Sequence, residues 1–193
     1  MKVAAIDIGT NTTLMLVAEP DPDRSRRPTS GGSAGRGVLR SVREVATITR
    51  LGEGVDVARK LAPAAIERTN ACLARYAEIV RALGVERVGV VGTSAMRDAG
   101  GGEEIRSKVR ELFGVEARTI SGEEEARLTF DGATGGLSVG ANVTVFDIGG
   151  GSTELVVGRC AGTSPDAAER GTIVASKSFD VGSVRLTERH GED

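Results

Sequence analysis

A segment near the start of the chain returns 140 residues later, and this repeat restricts the fold more than any other feature. VAAIDIGTNTTLMLVAE, from Val3, lies without gaps over VTVFDIGGGSTELVVGR, from Val143. Val3 and Val143, Asp7 and Asp147, Ile8 and Ile148, Gly9 and Gly149, Thr13 and Thr153, and Val17 and Val157 match at one constant offset. In each copy a short apolar run ends in an Asp-Ile-Gly turn of small residues, and a second apolar run follows. That is the pattern of strand, tight turn, strand. Two copies of one hairpin imply two related lobes. The first copy is followed by a whole lobe's worth of chain, whereas 46 residues remain after Asp147. The second lobe is therefore expected to be cut short, and the chain to be a fragment of a longer protein.

Between the copies, strand and helix patterns alternate. Residues 38–51 read as a third strand. A helix fits 63–83, with Pro63 at its first position, Ile66, Leu73, Tyr76, Val80 and Leu83 on one face, and Gly84 as its stop. Residues 87–91 read as a buried strand, 103–113 as a helix closed by Gly114, and 116–120 as another strand. Ser121, with Glu124 three residues on, has the spacing of a capping box and opens the next helix. After the second hairpin, 172–180 suits a strand and 184–189 the start of a helix. Such alternation indicates an α/β fold. The expected division is a first lobe over 1–134, with a mobile loop over 20–37, and the start of a second, incomplete lobe over 135–193. A cut-short sheet leaves an apolar face uncovered, so pairing of copies into a homodimer is expected, which sedimentation at rising concentration would reveal.

Charge and composition narrow the partners. The net charge is only -2, with 25 basic and 27 acidic residues, so no global field attracts nucleic acid or an anionic membrane. An anionic ligand must be held by local geometry. Glycine is abundant at 27 residues, which favours backbone-lined sites, while four Phe, one Tyr and no Trp leave little for stacking on bases. Nucleic acid and membrane are therefore not expected partners. Cys72 and Cys160 read as packing residues of a reduced compartment. The single histidine, His190, removes histidine triads and multi-histidine zinc sites. Asp7 comes too early for a signal peptide, and no apolar run approaches the roughly 18 residues of a membrane helix. A cytoplasmic protein is expected. Six arginines and no acid lie between Arg24 and Arg43, either as a solvated loop or as a patch for a polyanion.

Each hairpin sets an Asp at a strand end before a turn of Gly, Ser and Thr, where backbone N–H groups can converge on phosphate oxygens. Two facing turns would hold two linked phosphates. Neither is a Walker loop, and no dinucleotide fingerprint follows a strand. Residues 149–151 alone would read as a hairpin turn; the repeated Asp-Ile-Gly context makes them a candidate site. Asp7, Asp147 and Glu154 are hard oxygen donors suited to Mg²⁺ shared with phosphate and water. Arg97, in GTSAMR at the carboxyl edge of a strand, can contact a phosphate or a carboxylate of the opposite lobe. Glu123, Glu124 and Glu125 occupy a helix's first turn, where the dipole favours acids. A hydrolase needs one carboxylate as proton acceptor, and spacing does not choose among the three.

On these residues the sequence resembles the exopolyphosphatase and guanosine pentaphosphate phosphohydrolase (Ppx/GppA) family, within the acetate and sugar kinase/Hsp70/actin superfamily. The motifs are AAIDIGTNTTLMLV, VGTSAMRDA, ISGEEEARL, VFDIGGGSTELVVG and VGSVRLTE. DIGGG alone points only to the superfamily; the ordered conjunction is specific. The resemblance implies a ribonuclease H-like lobe of the actin-like ATPase superfamily, followed by the first strands of a second, truncated lobe. It also implies removal of the terminal phosphate from inorganic polyphosphate or guanosine pentaphosphate with Mg²⁺, with guanosine tetraphosphate as a related ligand. By similarity Glu125 is the catalytic base, and Asp147 and Glu154 hold metal and the nucleophilic water. Asn11, Arg97, Gly149, Gly150 and Ser152 match phosphate-binding positions, with Thr10 and Thr12 contributing from the first hairpin. Asp7 either touches metal or shapes its turn. A piece lacking much of one cleft wall is expected to be impaired. The competing readings are an ATP-dependent kinase of the same superfamily, which needs an adenosine pocket, and a non-catalytic polyphosphate or (p)ppGpp sensor. A sensor gains nothing from carboxylates that repel its anion.

Overall fold

The computed structural model describes residues 1–20, 39–134, 137, 140–160 and 171–191. Nearly all of the loop expected over 20–37, and the arginines from Arg24 to Arg36, lie outside the described residues.

Five strands form the larger sheet: β1 (Val3–Ile8), β2 (Thr12–Pro20), β3 (Leu39–Ile48), β4 (Arg87–Gly92) and β5 (Ala117–Thr119), in the order β3-β2-β1-β4-β5. Alternation along β1 and β2 turns Ala4, Ile6, Ile8, Met15 and Val17 to one buried face. Two helices cover it, α2 (Pro63–Ala82) and α4 (Glu103–Phe113). Their three-to-four spacing presents Cys72, Leu73, Tyr76 and Val80 from one, and Ile105 and Val109 from the other, to a single core. Tyr76 keeps its hydroxyl satisfied there by donating to the Thr13 carbonyl at 2.8 Å. Two short helices, α1 (Val55–Ala58) and α3 (Ser94–Asp98), were not expected; four or five residues are too few for periodicity to show. β3 ends at Ile48 instead of continuing to 51, because the Thr49 and Arg50 N–H groups both donate to the Asn11 carbonyl, at 3.0 and 2.9 Å.

β1 runs parallel to β4, and β4 to β5, so their carboxyl ends, Ile8, Gly92 and Thr119, share one edge. Ligand sites of open α/β sheets gather at this edge.

The second hairpin, β6 (Asn142–Ile148) and β7 (Thr153–Arg159), joins β8 (Thr172–Phe179) in a three-stranded antiparallel sheet. Its register repeats the first: Ile148 faces Thr153 and Asp147 faces Glu154, as Ile8 faces Thr13 and Asp7 faces Leu14. α5 (Gly122–Thr134) packs Ala126 and Phe130 on Val156, with Val143, Val145 and Ile173 around them. A division at 134/135 groups α5 with the first sheet by sequence, whereas its apolar face lies on the second. α6 (Ser183–His190) reaches back the other way, its Arg185 bonded to Asp56 and Asp98. The face of the small sheet away from α5 exposes Phe146 (67%) and Ile148 (73%). Among the described residues no helix is long and apolar enough to cross a membrane. Cys72 and Cys160 are both buried and unpaired, as packing residues should be.

Candidate active site

Both turns are braced through their carbonyls and their first glycine amides, which leaves other turn amides, among the described residues, without a backbone carbonyl to serve. In the first, Gly9 N–H closes on Thr12 O at 3.1 Å, while Gly52 N–H takes the Thr10 carbonyl at 2.8 Å. In the second, Gly149 N–H closes on Ser152 O at 2.9 Å. The first-turn amides of α6 then occupy the second turn's carbonyls: Ser183 N donates to Gly149 O at 2.9 Å and Val184 N to Gly150 O at 2.9 Å. Such helix N-terminal donors ordinarily lack partners. Among the described residues, the amides of Thr10, Asn11, Gly150 and Gly151 donate to no backbone carbonyl. The turns also abut. A Cβ on Gly151 would stand 2.5 Å from Ser94 Oγ and 2.7 Å from Thr10 Oγ1, so only glycine lets them approach this closely.

The two turns open onto one cleft of about 330 Å³. Asp7, Thr10, Asn11 and Thr12 line it from the first hairpin, and Asp147, Gly149, Gly150, Ser152 and Glu154 from the second. α5 adds Glu125. Arg97 is not part of the lining. Its Nη1 donates to Glu125 Oε2 at 3.2 Å and to the Ile120 carbonyl at 3.0 Å, so in this geometry it grips a carboxylate of α5 instead of facing the phosphate space. Gly151, the last residue of the 149–151 turn, lines the cleft as well; Thr93, Ser94 and Ser183 also line it and were not singled out from the sequence.

Three-dimensional packing separates the three glutamates of α5. Ser121 caps the helix, its Oγ accepting from Glu124 N at 3.1 Å. Glu123 is exposed and Glu124 turns out to Arg118. Glu125 alone enters the cleft. One turn further along the same helix face, Thr129 Oγ1 donates to Asp147 Oδ2 at 2.9 Å. Its four-residue spacing from Glu125 was a usable signal for this second contribution of α5. Ser178, which donates to Glu154 Oε1 at 2.8 Å, had no such signal, because it comes from β8.

Four carboxylates share the cleft, and their electrostatics are strained. Glu154 is 1% exposed and directly opposite Asp147. Burial first, and the Glu154 charge second, push Glu125 up to about 7 against the pull of Arg97. Burial, then Asp147, pushes Asp7 up to about 6, and among the described residues its buried Oδ1 has no hydrogen-bond partner. Among the described residues no three carboxylate, imidazole or thiol side chains gather closely enough to hold a metal by themselves. The carboxylates Asp7, Asp147 and Glu154 nevertheless fit a hard cation shared with phosphate oxygens and water, the usual manner of Mg²⁺, and the orphaned Asp7 oxygen is a ready acceptor for it.

These shifts predict an unusual pH dependence. Asp7 and Glu125 bind protons more tightly folded than unfolded, so stability falls as pH rises from about 4 to about 7. Asp56 and Glu103, held below the ordinary carboxylate range by hydrogen bonds from Arg189 and Arg110, act in the opposite sense only at lower pH. Without divalent cations the melting temperature should be higher at pH 5 than at pH 8, and Asp7→Asn with Glu125→Gln should flatten the difference. An unchanged slope in that double variant would remove the cleft carboxylates as its cause.

Residues 32–193 match the model of the Ppx/GppA phosphatase family. The chain is 41% identical over 194 residues to exopolyphosphatase 2 of Mycobacterium tuberculosis, covering 97% of this chain and 54% of that protein. It is 35% identical over 155 residues to the guanosine-5'-triphosphate,3'-diphosphate pyrophosphatase of Aeromonas hydrophila, covering 80% of this chain and 28% of that protein. It thus spans about half the length, or less, of these curated relatives. Among solved structures, an exopolyphosphatase-like protein superposes with a TM-score of 0.79 at 34% identity, over 98% of this chain and 53% of that one. The Aquifex aeolicus Ppx/GppA family member does so with a TM-score of 0.71 at 30% identity, over 97% of this chain and 54% of that one. The mixed α/β architecture is the actin-like ATPase fold of these neighbours, and the chain belongs to the Ppx/GppA phosphatase family.

Proposed function

We propose that this chain supplies the catalytic cleft of a cytoplasmic phosphoanhydride hydrolase, which releases the terminal phosphate from inorganic polyphosphate or guanosine pentaphosphate. The observation that carries this reading is Glu125: a half-buried carboxylate, pushed up to about 7, set in a cleft between two amide-lined turns. A group poised near neutrality suits a general base. The amides of Thr10, Asn11, Gly150 and Gly151, with the hydroxyls of Thr10, Thr12 and Ser152, receive the phosphate oxygens. Water attacks the terminal phosphorus in line with the bridging oxygen, Glu125 accepts its proton, and that P–O bond breaks to release orthophosphate and the shortened chain. Arg97 orients Glu125 through its 3.2 Å contact. Asp147 and Glu154, with Asp7 beside them, are the carboxylates that would hold a divalent cation, Mg²⁺ in this reading, whose charge offsets that of the phosphates.

The test is orthophosphate release from long-chain polyphosphate and from guanosine pentaphosphate, with Mg²⁺ and no acceptor. Release without acceptor is the expected result. Release only when a sugar or carboxylate acceptor is present would replace hydrolysis with phosphoryl transfer, and tight binding without turnover would leave only a sensor.

A further inference from the structure

Arg185 is 9% exposed, unusually buried for an arginine, and it lies outside the cleft lining. Its guanidinium joins two aspartates on separate elements of the larger lobe: Nη1 to Asp56 Oδ1 of α1 at 3.0 Å, and Nη2 to Asp98 Oδ2 of α3 at 2.9 Å. Its own helix carries the second turn. The amides of Ser183, Val184 and Arg185 donate to the Gly149 and Gly150 carbonyls, and a Cβ on Gly182 would stand 2.4 Å from the Gly150 backbone. Turn and helix are therefore one body. Both aspartates are tied to the first turn. Asp56 follows the 49–52 segment that holds the Thr10 and Asn11 carbonyls. Asp98 accepts from Ser94 Oγ at 3.1 Å, and Ser94 is the side chain against Gly151.

We infer that Arg185 is the positioning residue that fixes the spacing between the two turns, by clamping the helix that carries the second onto Asp56 and Asp98 behind the first. The inference rests on the phosphate-cleft reading, and it adds a requirement for ligands that span both turns. A planar fork can serve two carboxylates at once, which a lysine ammonium on a flexible stem does not reproduce. A ligand seated in one turn is indifferent to the spacing. One that links both depends on it, as a two-point attachment depends on the distance between its points.

Calorimetric titration with orthophosphate and with tripolyphosphate, both with Mg²⁺ and in a Glu125→Gln background that prevents consumption, separates these cases. Arg185→Lys and Asp98→Asn should each weaken tripolyphosphate by about tenfold or more and orthophosphate by less than about twofold. Arg189→Gln, which removes the 45% exposed partner of Asp56 on the same helix but leaves Arg185 holding both Asp56 and Asp98, should weaken tripolyphosphate by less than about twofold and leave orthophosphate unchanged. Thermal melts identify the folded variants, and if Arg185→Lys does not fold, Asp98→Asn decides. A folded clamp variant that binds tripolyphosphate as its parent does, or loses both ligands in equal proportion, overturns the inference. A parent protein that binds neither ligand fails earlier, at the phosphate cleft itself, and removes the clamp with it.

Discussion

Glu125→Gln should lower the turnover of phosphate release by roughly 10² to 10⁴, the range for losing a general base, while phosphate-chain binding stays near that of the parent. The substitution keeps the side chain's shape and an oxygen for the Arg97 contact, but it cannot accept the proton from attacking water. The parent's activity should also fall as pH drops through about 7, where burial and Glu154 have placed this carboxyl, because the protonated acid is no base. In the variant that limb should vanish from the residual rate. A pH series of kcat and kcat/KM beside tripolyphosphate binding tests both points. A turnover loss smaller than about fivefold would take Glu125 out of the role.

Glu154→Gln should do two things that rarely go together, raising stability while lowering activity by about 10² or more. Glu154 is 1% exposed, opposes Asp147 across the strand pair and raises the Glu125 pKa. Removing its charge relieves a like-charge contact worth about 1 kcal/mol, or ~2–4 °C in melting temperature for a chain of this size. Glutamine still offers Ser178 an acceptor in place of the 2.8 Å hydrogen bond, so no buried donor is orphaned. The repeat supplies a natural control, since the corresponding place in the first hairpin holds Leu14, an uncharged residue opposite Asp7. The fold of the hairpin thus does not require the charge. A drop in melting temperature would mean that Glu154 is held for packing or hydrogen bonding and not kept, at a cost, for chemistry.

Much of the fold was legible from local pattern. The Ser121 cap, the helix from Pro63, and the strand–turn–strand form of the two hairpins all rest on residues close together in the chain, although Glu124 pairs with Arg118 and does not close the capping box. The misread end of β3 shows where such patterns stop. Thr49 looks as strand-like as its neighbours, but its amide is taken by Asn11, 38 positions earlier. Arg97 illustrates the same boundary at the site. Its motif placed it at the right edge of the sheet, yet whether it meets phosphate or carboxylate depends on where α5 lies. That helix follows its own apolar face onto Val156 and brings Glu125 to the guanidinium.

The sequence by itself determined that two related hairpins each end in an Asp-Ile-Gly turn, that the elements between them alternate as α/β, and that any anion must be bound by local geometry at net charge -2. Periodicity, capping and turn chemistry act over a few residues and are written in residue order. Only the tertiary structure decided that both turns open onto one cleft, that Glu125 and not Glu123 or Glu124 enters it, and that Arg185 joins Asp56 across 129 residues of chain. Those outcomes depend on burial and on charge pairing between distant segments. Such forces act through space, and their partners exist only once the lobes have packed.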